Sequence, residues 1–190
     1  MKSKIASYLS IIGHPLLNIP LFACIAFFTH EEFPKALFHS SLILLGIALP
    51  IAVNLHIKSK NGTYTNFDVS DQKQRQSWYI FAILVLLTVT IILFVTDQSR
   101  GLRLAVLFSL ILLAVSQLIN YLVKCSLHVS FNILLSFLIS PMNLVAGLLF
   151  LVFTILIAWS RITLNRHTMK EIIAGSIIGL AIEISYLFFI

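Results

Sequence analysis

The sequence predicts an all-α protein, a polytopic transmembrane helix bundle of about six to seven helices, and three observations carry that reading. Of 190 residues, 59% are hydrophobic and 11% charged, with a mean hydropathy of +1.00, more apolar surface than a soluble domain of this size can bury. The apolar residues gather in runs of about twenty, the length that crosses a bilayer. The lysines and arginines stand between those runs, so the net charge of +6 points to anionic lipid as the partner and not to nucleic acid. Cys24 lies in an apolar run and Cys125 beside a polar cluster, with no metal spacing.

Lys2 and Lys4 precede a first run, about Ile5 to Thr29, that is too long for a signal peptide. A retained helix is expected there, kinked or broken at Gly13-His14-Pro15 and Pro20. His14 reads as a histidine bonded to a neighbouring helix, although an ionisable group inside a membrane is also a functional candidate. A second run covers about Ala36 to Ile57, and its His39, Pro50, Asn54 and His56 read as interfacial or packing residues. From Lys58 to Trp78 the chain is polar and turn-rich, its longest loop.

Two further runs, about Tyr79 to Thr96 and Leu102 to Val123, form a hairpin through Asp97-Gln98-Ser99-Arg100-Gly101. Along the second, Gln117, Asn120 or Tyr121, and Lys124 recur at helical spacing, a polar row that belongs in the bundle interior. It leads into Lys124-Cys125-Ser126-Leu127-His128, which sets a cation, a hydroxyl and an imidazole at the mouth of the next apolar segment, where Ser126 can cap the helix.

Between His128 and Ser160 the chain has two options. Two short helices turning at Ser140-Pro141-Met142-Asn143 bring both ends to one side, whereas a single kinked helix from Val129 to Trp159 sends them to opposite sides. Proline and asparagine favour the turn. The first piece then reaches only about 18 Å against a hydrocarbon core of about 30 Å, so it needs shielding by its neighbours.

The stretch Ser160-Arg161-Ile162-Thr163-Leu164-Asn165-Arg166-His167-Thr168-Met169-Lys170-Glu171 is a polar break before the last run, Thr168 to Ile190. If the last helix begins near His167, Glu171 lies one turn along the same face, where a carboxylate can hold one imidazole nitrogen and orient the other outward. Arg161 offers a fork of donors matched to phosphate oxygens, and the helix start adds free N–H groups. Together they read as a phosphate site. Gly175 and Gly179 in the last run allow close helix contact, and Glu183 reads as a buried structural carboxyl.

With these clusters placed, the chain resembles the type 2 phosphatidic acid phosphatase superfamily. Three signatures mark that superfamily: a lysine, six residues and Arg-Pro; Pro-Ser-Gly-His; and Ser-Arg, five residues, His, three residues, Asp. Ser160, Arg161, His167 and Glu171 match the third, with Glu in place of Asp. Ser126 and His128 match the second, Cys125 and Leu127 replacing Pro and Gly; Arg75 alone matches the first, with Asp68 in the lysine's place and Gln76 in the proline's. A divergent bacterial branch with a Lys-x-Ser-x-His segment is closer still, which Lys124, Ser126 and His128 follow.

The resemblance implies a single integral-membrane domain over 1–190, its signature-bearing core at about 66–190, that hydrolyses a lipid phosphate ester without metal or other cofactor. His167 would attack phosphorus, Glu171 would orient it, and His128 would protonate the departing oxygen. Arg75, Lys124, Ser126, Ser160 and Arg161 would bind the phosphate. The substrate would be a phosphatidate, lysophosphatidate, phosphatidylglycerophosphate or polyprenyl diphosphate in a cytoplasmic (inner) cell membrane. A phosphotransferase of the same fold, and a catalytically silent protein for lipid binding or transport, are the alternatives. Ten of the thirteen Lys and Arg fall on the side of the site, which favours the cytoplasmic face, whereas many superfamily members face outward.

Overall fold

The computed structural model describes residues 2–96 and 98–189. Among the described residues each apolar run is a helix, or two helices where proline or a polar break intervenes: α1 (Lys2–Ile12), α2 (Pro15–His30), α3 (Phe33–Lys60), α4 (Gln72–Val95), α5 (Arg100–Asn120), α6 (Leu127–Ile139), α7 (Leu144–Thr163) and α8 (Met169–Leu187). Asp97 in the expected hairpin turn and Ile190 at the end of the last run lie outside the described residues.

The first run breaks at Gly13-His14-Pro15 as expected, whereas α2 runs on through Pro20. Pro15 opens α2, His14 caps it by accepting the Leu16 N–H on Nδ1 at 3.1 Å, and the axes of α1 and α2 bend by 48°. In α3 the helix widens into a π turn at Leu44–Ala48, just ahead of Pro50. Proline lacks an N–H and its ring crowds the carbonyl four residues back, and the wider turn makes room for it.

Helix α4 starts inside the stretch expected to be loop. Asp71 caps it, accepting the Gln74 N–H at 2.9 Å, so Arg75 sits on the first turn of a helix. Helix α5 ends at Asn120, which exchanges hydrogen bonds with Gln72 at 2.6 and 3.1 Å; Lys124 therefore leaves the expected helical row and stands in the following loop.

The chain takes the turn between α6 and α7, with Asn143 capping α7 on the Ala146 N–H at 2.9 Å. Thirteen residues of α6 rise about 20 Å, about 10 Å less than α7, so α6 starts within the bundle and its neighbours must cover it. They do: Leu127 to Ser136 are all buried. Helix α8 lies so close that a Cβ on Gly175 would stand 2.7 Å from the Ser126 carbonyl oxygen, and one on Gly179 3.1 Å from Ser130 Cα.

Helices α3, α4, α5 and α7 are long and apolar enough to cross a membrane, and α1 with α2 adds a fifth crossing if the bent pair is one span. That is fewer than the six to seven expected, because α6 is too short and α8 carries Lys170, Glu171 and Glu183. At the end of the bundle away from Arg75, His39 joins Glu31 at 2.6 Å and Gln98 at 2.7 Å, and Arg100 donates to the Phe189 carbonyl at 2.6 Å.

Candidate active site

The loops at the other end bring the three polar clusters together. Helix α7 stops with Asn165 in the left-handed region (φ 53°), Arg166 N–H bonding the Arg161 carbonyl at 3.0 Å and Asn165 N–H the Ile162 carbonyl at 2.9 Å. This pairing reverses the chain after a helix, and asparagine tolerates the required φ. His167 follows, and α8 begins at Met169 behind a Thr168 cap.

His167 thus lies just outside α8, not on its first turn. Glu171 reaches it as the third residue of a capping box, its carboxylate bent back to the Thr168 N–H at 3.3 Å and to His167 Nδ1 at 2.7 Å. Arg75 approaches the other ring nitrogen, Nη2 to Nε2 at 3.5 Å. Arginine only donates, so Nε2 accepts and the ring proton sits on Nδ1, donated to Glu171. Burial, then the Arg75, Arg161 and Lys124 cations, push the His167 pKa down to about 2. A neutral imidazole with its lone pair turned to a guanidinium is a nucleophile aimed at an anion site.

Arg75 is fixed by two further bonds, Nε to the Val69 carbonyl at 2.9 Å and Nη1 to the Cys125 carbonyl at 2.7 Å. Val69 holds a φ of 46°, costing a β-branched residue about 1–2 kcal/mol, and the bond to Arg75 pins it. The Ser126 N–H bonds the Glu171 carbonyl at 3.1 Å, tying the starts of α6 and α8 together. Lys124 Nζ lies 3.3 Å from the Glu171 carboxylate and 2.9 Å from the Arg166 carbonyl; burial and Arg75 lower its pKa against the pull of Glu171.

Arg161, 1% exposed, donates to Ser10 Oγ at 2.6 Å and to Asp68 Oδ2 at 2.9 Å, and its Nε has no partner among the described residues. Asp68 also faces His14 Nε2 at 3.6 Å. Burial alone would raise the Asp68 carboxyl, but the neighbouring His14, His128 and Arg161 outweigh it and hold the pKa well below the usual carboxylate range. The ring of His14 packs edge-on against His128, centroids 4.7 Å apart.

Of the residues singled out in the sequence, Arg75, Lys124, His167 and Glu171 are joined by side-chain contacts, whereas Arg161 and His128 group with Asp68 and His14 and meet the first set through the Arg161 carbonyl, which accepts the His167 N–H at 3.2 Å. Ser126 stands at the cap position of α6 but makes no side-chain cap bond; its buried hydroxyl has no partner among the described residues, and neither has His128 Nε2. Ser160 turns its hydroxyl back to the Ile157 carbonyl at 2.7 Å, away from the others. His14, which the sequence reads as a histidine bonded to a neighbouring helix and also as a functional candidate, stands at the site, facing Asp68 and His128. The signal for it was the Gly13-His14-Pro15 break, which frees a capping side chain in mid-bundle.

His14, Asp68 and His128 offer ligand atoms within 4.8 Å of one another, a compact enough set for a divalent cation. Arg161 already occupies that carboxylate. Arg75, Lys124, Arg161 and Arg166 against Asp68 and Glu171 leave the fixed charge positive, which suits an anion better than a second cation. No family model, curated protein or solved structure matches this chain.

Proposed function

We propose that this protein is a membrane-embedded lipid phosphatase of the type 2 phosphatidic acid phosphatase kind, working through a phosphohistidine. The observation that carries the reading is His167 held between Glu171 at 2.7 Å and Arg75 at 3.5 Å. A phosphate drawn to Arg75 sets its phosphorus before Nε2. Nε2 then forms the N–P bond as the P–O bond to the lipid breaks, and His128, whose hold on a proton burial and Arg161 weaken and the phosphate dianion restores, gives its proton to the departing oxygen. Water attacks phosphorus in the second step, its proton passes to His128, and the N–P bond breaks to free phosphate. Fixed cations and the unpartnered Ser126 hydroxyl stabilise the charge spread over the phosphoryl oxygens. The apolar helices and the cationic site end favour a cytoplasmic-membrane lipid phosphate as substrate.

One observation favours a second reading, a catalytically silent lipid-binding protein: Asp68 places a carboxylate on Arg161 at 2.9 Å, where a phosphate would bind. Phosphate release by the detergent-purified protein, across phosphatidate, lysophosphatidate, phosphatidylglycerophosphate and polyprenyl diphosphate, decides between them. The phosphatase reading expects turnover that falls by more than about a thousandfold in His167→Ala. Absence of turnover on every lipid leaves the silent protein.

A further inference from the structure

A cavity of about 340 Å³ begins at His14, Asp68, Arg75 and His128 and runs between α2, α3, α4, α5 and α6 down to Phe27, Ile43 and Leu102. From His14 to Phe27 it follows thirteen residues of α2, about 20 Å of depth. Small side chains at Ala23, Ala82 and Ala105 leave the space, and below the mouth the wall is almost wholly apolar. Ser109 in that wall spends its hydroxyl on the Ala105 carbonyl at 2.8 Å. A second cavity, about 490 Å³, shares His14 and Asp68 but leads past Ser7, Ser10 and Arg166. His14 and Asp68 therefore stand where the two cavities meet, and Arg75 and His128 line the mouth of the first.

We propose that the apolar cavity takes one hydrocarbon chain of the substrate, making single-chain lipid phosphates the substrate class; this rests on the phosphatase reading. The phosphate sits at the cavity mouth beside Arg75, the chain lies along α2 with its end against Phe27, and released phosphate leaves by the second cavity. A void of this size forfeits dispersion contacts that a chain restores. A chain leaving the bilayer gains no hydrophobic free energy, so the cavity selects by fit. Its volume stands at the low end of ligand sites, which run from about 300 to 1,000 Å³, room for one chain and not for the pair of a diacyl lipid.

The test reads binding, not turnover. Trp78 lines the cavity one turn below Arg75, and Trp159→Phe leaves it the only tryptophan. Its emission is titrated with n-butyl, n-octyl and n-dodecyl phosphate, dioctanoyl phosphatidate and dodecanol at fixed detergent. Ala23→Phe sets a plug about 13 Å below His14, and Ile25→Phe, 58% exposed on α2, is the control of equal bulk. The expected result is that Ala23→Phe weakens dodecyl phosphate by about tenfold or more with butyl phosphate little changed, that Ile25→Phe follows the parent at every length, and that the diacyl probe binds worse than dodecyl phosphate. The proposal is overturned if Ala23→Phe follows the parent at every length, if the parent shows no dependence on length, or if the diacyl probe binds as well. Dodecanol binding as tightly as dodecyl phosphate, with the same sensitivity to Ala23→Phe, keeps the chain in the cavity and removes the phosphatase reading alone.

Discussion

His14 stands edge-on to His128, ring centroids 4.7 Å apart, and so joins the break between α1 and α2 to the start of α6. One turn along α6, Asn132 completes the join: its amide donates to the Gly13 carbonyl at 2.8 Å and its oxygen accepts from Asn18 at 2.8 Å. The carbonyl freed by the break is satisfied, and the break becomes a wall of the site. His14 Nε2 then faces Asp68, the residue standing where the resemblance calls for a lysine.

On the phosphatase reading, Asp68 competes with the substrate phosphate for Arg161. Asp68→Asn removes the competing charge, and inorganic phosphate is expected to bind about tenfold tighter, since a desolvated like charge costs an anion at least about 1.4 kcal/mol. Calorimetric titration with phosphate checks this. Weaker binding in Asp68→Asn would mean that the carboxylate positions Arg161 for the ligand.

Arg75→Lys keeps the charge but not the fork. Lysine cannot reach the Val69 and Cys125 carbonyls and His167 together. Phosphate release is expected to fall by about a hundredfold or more, and a thermal unfolding scan should show a lower midpoint as Val69 loses its bond. Activity within a few-fold of the parent would remove Arg75 from the site.

Gly175→Ala drives a Cβ to 2.7 Å from the Ser126 carbonyl, a backbone atom that cannot swing aside, whereas Gly179→Ala meets Ser130 at 3.1 Å. Overpacking of this kind costs about 1–3 kcal/mol. Gly175→Ala is expected to lower the thermal midpoint more than Gly179→Ala, and to reduce phosphate release because the starts of α6 and α8 are pushed apart. The reverse order of midpoints would contradict the close contact at Ser126.

The low pKa of His167, about 2, sets a pH dependence of stability. The unfolded imidazole takes up a proton below about pH 6.5 while the folded one does not, so the unfolded state binds more protons there and stability drops as the pH is lowered. The contribution is intact above pH 6.5 and declines towards pH 2, by about 2 kcal/mol at pH 5. His167→Gln should lose less of its thermal midpoint between pH 7 and pH 5 than the parent does. Parallel losses would mean that the ring is protonated in the fold.

Hydropathy made the helical runs, the break at Gly13-His14-Pro15 and the turn at Ser140–Asn143 legible, because each is a local consequence of apolar length or of proline and asparagine chemistry. Depth was not legible. Nothing in Gly13-His14-Pro15 tells how far below the surface the break falls, and that depth is what brings His14 to His128. The start of α4 carried a cap signal, Asp71 with Gln74 three residues on, but it lay in a polar stretch that reads as loop. Ser126 and Ser160 show the converse: hydroxyls at signature positions whose partners the fold decides, one without a partner among the described residues and one turned back to its own helix.

The central claim is that His167 Nε2 takes the phosphoryl group. Acid-avoiding quench of the protein turning over a lipid phosphate, followed by peptide mass spectrometry, tests it most directly, with His167→Ala alongside as the control. The account predicts a phosphoryl group on His167, present in the parent and lost in His167→Ala. Phosphate released with no phosphoryl group on His167, or with the group on another residue, would contradict it.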